Sequence, residues 1–282
     1  MARWRPRRTG RIVARFHEPQ GRHGVSPRAE ESQKLSHQIE DSYATLRRHC
    51  LDHSSHLRLG RLLHRLNHRD PGVQESALAE LELATQLIRV GTRVRFLPES
   101  QARTADFECH LGRDRFFMEV TAMVGSTERR RLPLRGLLDE AEQGKEEDRG
   151  VILIHRILAR ILQKAKQLAD YCDPVILGIS IPRADLKGPR QSRREEIRLD
   201  LKYLAGAVTL LLQTLPHLSA VLIALWDVIP LPAHAATRLA NVELVARTKY
   251  QKGYPRVRVL IENPGATSAL SEQQNEAFRQ LL

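Results

Sequence analysis

Cysteine is scarce. Cys50, Cys109 and Cys172 are the only three in the chain, scattered and odd in number, so there is no disulfide framework and no CxxC redox or zinc signature. That usage fits a reducing cytoplasm. Aromatic residues make up only 5%, which argues against a single-strand binder built on stacked bases. No uninterrupted apolar run is long enough to span a bilayer. The most apolar stretch, residues 204–231, is broken by Gln213, Pro216, His217 and Asp227, so it reads as a helix followed by a buried strand, and no membrane partner is expected. Glycine-rich phosphate loops, internal repeats and a Ser/His/Asp signature are also missing.

What is present is positive charge. The formal net charge is +12 and arginine far outnumbers lysine. Such a surface favours phosphate backbones through counterion release, and the guanidinium suits bidentate phosphate contacts. A GC-rich coding sequence also enriches arginine, so charge alone does not separate a nucleic-acid enzyme from any other basic protein. Residues 1–30 carry Arg3, Arg5, Arg7, Arg8 and Arg11 among Pro and Gly without apolar periodicity, and read as a mobile basic arm. Glu18, Glu30 and Glu31 speak against a transit peptide. Residues 31–70 read as a helical His/Arg-rich extension, with Leu46, Leu57, Leu59, Leu62, Leu63 and Leu66 as its apolar positions. Helical spacing groups His49, His53 and His56 on one face, which permits zinc, but no further ligand completes a set and a polar face is the better account. Residues 71–282 are expected to form the main domain.

The most informative segment is TADFECHLGRDRFFMEVTAM, two strand-like runs joined by Gly112-Arg113. Glycine at the first central position suits a two-residue turn closed by Leu111 and Asp114, which sets Asp106 opposite Glu119. Alternation places Ala105, Phe107, Cys109, Leu111, Phe116, Met118 and Val120 on one face, the core, and Thr104, Asp106, Glu119 and Thr121 on the other, a possible site. Two ionised carboxylates about 5 Å apart repel by about 3 kcal/mol at an effective dielectric of 20. A shared proton, an arginine or a divalent cation would offset that.

A third acid precedes them. PGVQESALAELELATQLIRV (71–90) reads as a helix with Val73, Ala77, Leu81, Ala84 and Ile88 as its apolar stripe and Gly91 as its stop. Glu80 lies about 60° from the centre of the stripe and Glu82 about 140° away, so Glu80 borders the buried face while Glu75 and Glu82 are expected in solvent.

Over residues 71–182 the chain resembles the PD-(D/E)xK, restriction-endonuclease-like nuclease superfamily: a helix with Glu80, then TRVRFLP, TADFECH, RFFMEVTAM, a helix at about 152–170 and PVILGISIP. The resemblance implies an α/β fold with a mixed central sheet flanked by helices. It also implies a magnesium- or manganese-dependent endonuclease or exonuclease that hydrolyses phosphodiester bonds of nucleic acid, with DNA the expected substrate. Asp106 in ADF matches the family's aspartate, Glu119 in MEVT its acidic partner, and Glu80 the first-helix glutamate of some members, all three as metal ligands. The family's lysine is replaced by Thr121, whose hydroxyl supplies no positive charge but can bond a metal-bound water. Some members move the lysine to the following helix, and ILARILQKAKQLADY offers Lys164 beside the stripe of Leu158, Ile161, Ala165 and Leu168, with Gln167 along the same edge and Lys166 farther from it. A snorkelling surface lysine is the plainer fate for such a residue. Two other readings stay open: a nuclease-fold nucleic-acid binder that has lost catalysis, and a partner-binding module.

Overall fold

The computed structural model describes residues 27–98, 104–123, 146–181, 197–226, 228–231, 239–247 and 254–282. Three helices come first, and two of their starts are written plainly in sequence. In α1 (Pro27–His49) the chain enters the stretch expected to be an arm. It breaks at Cys50, and Asp52 then caps α2 (His53–Leu66) by accepting from Ser55 N–H at 2.9 Å. Asp70 caps α3 (Pro71–Arg89) through Gly72 N–H, with proline at the helix start, where its missing donor costs nothing.

The strands β1 (Arg93–Phe96), β2 (Phe107–Leu111) and β3 (Asp114–Ala122) follow. After them come α4 (Glu146–Ala165), β4 (Val175–Ile181), β5 (Ile197–Leu199), α5 (Leu201–Leu212), β6 (Ala220–Leu225), β7 (Val228–Pro230), β8 (Val242–Ala246), β9 (Val257–Glu262) and α6 (Glu272–Leu281). The seven-stranded sheet runs β1-β2-β3-β4-β6-β9-β8. β1, β2 and β3 pair antiparallel, β4 and β6 join parallel to β3, and β9 and β8 close antiparallel. The protein is therefore α/β, with a mixed sheet flanked by helices and a helical N-terminal region. A parallel join needs a crossover, and α4 provides the one between β3 and β4.

Helices cover both faces of the sheet. On one side Leu46, Leu59, Leu62, Leu81 and Phe278 pack with Phe107, Phe116 and Met118, bringing α1, α2, α3 and α6 into one core. On the other, Ile157 and Ile161 of α4 and Leu204 and Val208 of α5 pack with Leu177, Val221 and Val259. The central strands accordingly read as continuous apolar runs, as SAVLIALWDVI and PRVRVLIENP do. Arg258 of β9, 3% exposed, ties the sheet to two helices by donating to Leu281 O in α6 and Gln86 Oε1 in α3. Among the described residues no helix is long and apolar enough to cross a membrane.

Four expectations need correction. The arm expected over 1–30 gives way to helix at Pro27. Glu75 is 6% exposed because α1 and α2 pack against the side of α3 turned away from the sheet. His49 shares no helical face with His53 and His56, since Asp52 starts a new helix between them. Cys50, in that break, is buried and its thiol donates to Val94 O. Ala105 packs with the α4 core, opposite Phe107. Its N–H donates to the Tyr171 hydroxyl at 2.7 Å, so regular alternation stops just before Asp106. Residues 1–26, including Arg3 to Arg11, lie outside the described residues, as do 124–145 with Arg129, Arg130 and Arg131, and 182–196.

Candidate active site at the Asp106 and Glu119 pair

Register delivers the first two acids. Leu111 pairs with Asp114 and Phe107 with Met118, as the turn dictates, and Gly112 takes φ +61°, which a side chain would resist. Phe107 and Met118 are both fully buried on the α3 side. Asp106 stands one residue beyond the regular ladder. Its N–H donates to Met118 O at 3.0 Å, and its own carbonyl accepts from Leu97 N–H at 2.9 Å, which locks it between β1 and β3. The Asp106 carboxylate accepts from Val120 N–H at 2.9 Å on Oδ2, and its negative charge bears on the neighbouring Glu119 carboxyl.

Glu119, 5% exposed, sits on the face covered by α4, and Thr121 follows two residues on, also buried. Lys164, on the last turn of α4, places Nζ 2.5 Å from Glu119 Oε1. Lys166 is exposed. The helix ends at Ala165, so Gln167 lies in the following turn, where its N–H donates to Lys164 O, and not one helical turn farther along the same edge.

Glu80 of α3 is 2% exposed and is held by arginines that sequence analysis missed. Arg58 Nη2 lies 3.2 Å from Glu80 Oε2 and 2.8 Å from Asp106 Oδ1, and Arg65 Nη1 lies 2.7 Å from Glu80 Oε1. Both arginines come from α2. A signal for Arg58 existed: with Ser55, Leu59 and Leu62 it falls on the i, i+3, i+4, i+7 face that is buried. An arginine inside an apolar stripe calls for an acidic partner.

The cluster therefore sets Glu80, Asp106 and Glu119 against Arg58, Arg65 and Lys164. Burial pushes the Glu80 carboxyl up to about 7, Asp106 adds to the rise, and Arg65 and Arg58 oppose it. Burial likewise pushes Glu119 up to about 8, with Asp106 adding and Lys164 opposing. Near neutral pH the Glu119 carboxyl thus holds a proton readily. Buried ion clusters are poor stabilisers compared with apolar packing, whereas perturbed carboxyls grouped with cations are characteristic of functional sites.

The donor set suits a hard cation. Asp106 and Glu119 offer two neighbouring carboxylates, and a divalent cation there would take the place of a proton on Glu119. Glu80 is turned to its arginines. Among the described residues no group of three His, Cys, Asp or Glu side chains is already arranged to hold a metal ion. The fit thus rests on the Asp106 and Glu119 pair. Comparison of the chain with protein-family models, curated proteins and solved structures finds no match.

Proposed function

We propose that the protein is a metal-dependent nuclease that hydrolyses phosphodiester bonds of nucleic acid, with DNA as its expected substrate. The observation that carries this reading is the meeting of Lys164 with Glu119. A lysine displaced from the position held by Thr121 arrives from the next helix at the carboxylate it would serve. The order of helix, three antiparallel strands, helix and parallel strand around the acids supports the same reading.

In this reading Asp106 and Glu119 hold magnesium or manganese, which supplies Lewis-acid polarisation of the scissile phosphate and a more acidic bound water. The chain's own groups do the rest. Lys164 is placed to orient the attacking water and to stabilise negative charge that develops on the phosphate oxygens. Arg58 and the Val120 N–H fix the two oxygens of Asp106. Glu80 tunes the pair indirectly through Arg58, and Thr121 is available to bond a metal-bound water.

The alternative, a nuclease-fold protein that binds nucleic acid or another partner without cutting, draws on one specific observation. Arg58, Val120 N–H and Lys164 already engage three of the four oxygens of Asp106 and Glu119, so a cation must compete with internal partners.

Incubation with plasmid DNA and with RNA, each with magnesium, manganese or EDTA, separates the two. The nuclease reading expects cleavage that needs the metal and is lost in Asp106→Asn, a variant that keeps the size of the side chain beside Arg58. Absence of cleavage on every substrate, with binding retained, would favour the alternative.

A further inference from the structure

Nine residues, 166–174, carry the chain from α4 to β4, and they are fastened at several points. Gln167 and Leu168 N–H groups donate to Lys164 O and Ala165 O at 2.9 and 3.0 Å, which closes a turn directly behind Lys164. Leu168, fully buried, anchors that turn in the core on the α4 side of the sheet. Farther on, Cys172 O accepts from the Ser268 hydroxyl at 2.6 Å. The Asp173 carboxylate takes Arg115 Nε and Nη2 at 3.0 and 2.6 Å, and Pro174 O accepts from Phe117 N–H at 2.8 Å. The segment that begins behind Lys164 is therefore bonded to β3, the strand of Glu119.

Tyr171 bonds the same segment to the chain that carries the other acid. Its hydroxyl accepts from Ala105 N–H at 2.7 Å, one residue before Asp106. Its ring lies 4.3 Å from that of Phe117, tilted by 38°. Phe117 stands two residues before Glu119, and period two puts both on one face of β3. One side chain thus touches the chain beside each acid while belonging to the segment that follows Lys164.

The hydroxyl meets a need that the sheet leaves. β2 begins at Phe107, and the bonds just before it are those of Asp106, whose N–H goes to Met118 O and whose carbonyl takes Leu97 N–H. Ala105, 2% exposed, lies past them. Without Tyr171 its N–H would be buried with no acceptor, a state that backbone avoids by rearranging. A shift of Ala105 passes to Asp106 through the bond between them, and a misplacement of about 1 Å in a reacting group costs about 100-fold.

We infer that Tyr171 is a positioning residue of the candidate site. Through its hydroxyl on Ala105 and its ring on Phe117 it sets Asp106 at a fixed spacing from Glu119 and Lys164, which arrive on two other elements. The inference rests on the nuclease reading for what the two acids hold.

The test compares the full chain with Tyr171→Phe, which keeps the ring and removes the acceptor. Manganese binding by isothermal titration calorimetry should weaken about tenfold, the scale of losing a partner that orients a metal ligand. Plasmid cleavage should lose about tenfold in kcat, with KM for the DNA within about twofold. Amide hydrogen exchange at Ala105 should speed up. Ser268→Ala removes a bond from the same segment away from the acids. It should lower Tm by about as much as Tyr171→Phe, near 2–4 °C, and leave manganese affinity and kcat within about twofold.

Faster exchange at Ala105 with unchanged manganese affinity would make the hydroxyl a purely structural bond and overturn the inference. Equal losses of affinity in Tyr171→Phe and Ser268→Ala would do the same, as would unchanged exchange at Ala105. The two proposals fail separately. Metal-dependent cleavage with equal manganese affinity in wild type and Tyr171→Phe refutes only the positioning role. Manganese binding that Tyr171→Phe weakens, with no cleavage by wild type on any substrate, refutes only the hydrolase. Absence of manganese binding by wild type overturns both.

Discussion

Lys164 and Glu119 test the residue scale most directly. Replacing Lys164 with methionine keeps the apolar stem and removes the charge, and Glu119 can remain protonated without it, so the fold should survive. Metal-dependent cleavage should fall about 100-fold or more, the scale of losing a positioned electrostatic stabiliser. Lys166→Met, at an exposed position, should do much less. Equal plasmid-cleavage rates in wild type and Lys164→Met would refute the role. The raised carboxyls add a pH signature. Glu80 and Glu119 titrate near 7 and 8 in the folded chain, against an ordinary value of 4.5, so the folded state keeps protons that the unfolded state has released. Their contribution to stability is then fully present below about 4.5 and is lost as pH rises through the folded values. Tm should fall by several degrees between pH 5 and pH 8. In Glu119→Gln, which mimics the protonated form, that fall should be visibly shallower. A parallel pair of Tm curves would show that Glu119 holds no extra proton.

At the scale of elements, α2 and α4 decide how the cluster is assembled. Arg58 joins the Glu80 carboxylate of α3 to the Asp106 carboxylate at the edge of β2. Arg58→Met should cost about 3–5 kcal/mol in urea denaturation, because it leaves two buried acids without their shared cation. Arg58→Lys should cost less, since it restores charge without the fork. A loss below about 1 kcal/mol would mean that the acids shed their charge as easily as they pair. α4 is set against β5 by Gly150, where a Cβ would lie 2.3 Å from Arg198 O. Gly150→Ala should therefore destabilise by about 1–3 kcal/mol through overpacking against backbone, despite alanine's higher helix propensity. A stabilised Gly150→Ala would show that this approach yields easily.

The described residues form two cores, one on each face of a single sheet, and the N-terminal helices belong to one of them. Leu46, Leu59 and Leu62 pack with α3 and the sheet, so a chain beginning after α2 would lose both apolar packing and the partners of Glu80. Removing residues 1–26 is a different matter. α1 begins at Pro27, and among the residues whose side chains are described the first buried apolar one is Ile39. That truncation should leave Tm within about a degree or two, while the loss of Arg3, Arg5, Arg7, Arg8 and Arg11 weakens duplex binding and flattens its salt dependence. A large drop in Tm would show that this segment packs on the core.

Local rules carried much of the architecture and half of the cluster. Caps at Asp52 and Asp70, the Gly112 turn and the summed register of β2 and β3 are decided by neighbours in sequence, so the Asp106 and Glu119 pairing was legible there, as were Glu80 beside its apolar stripe and Lys164 beside its own. The helix and buried strand within residues 204–231 followed from the same patterns. What the sequence left open depends on which elements touch. Glu75 was misplaced because a helical stripe describes one buried side, and α3 is covered on two. Ala105 was misplaced because period-two alternation assumes a regular strand, and the chain leaves the ladder at Asp106. Gln167 fell outside its helix because α4 stops a turn early, in a boundary that packing selects. Arg58 and Arg65 were invisible as site residues for the deepest reason: they lie 48 and 15 residues from the acids they hold, and only the docking of α2 on α3 and β1 converts two arginines of a basic segment into the counter-charges of a buried acidic cluster.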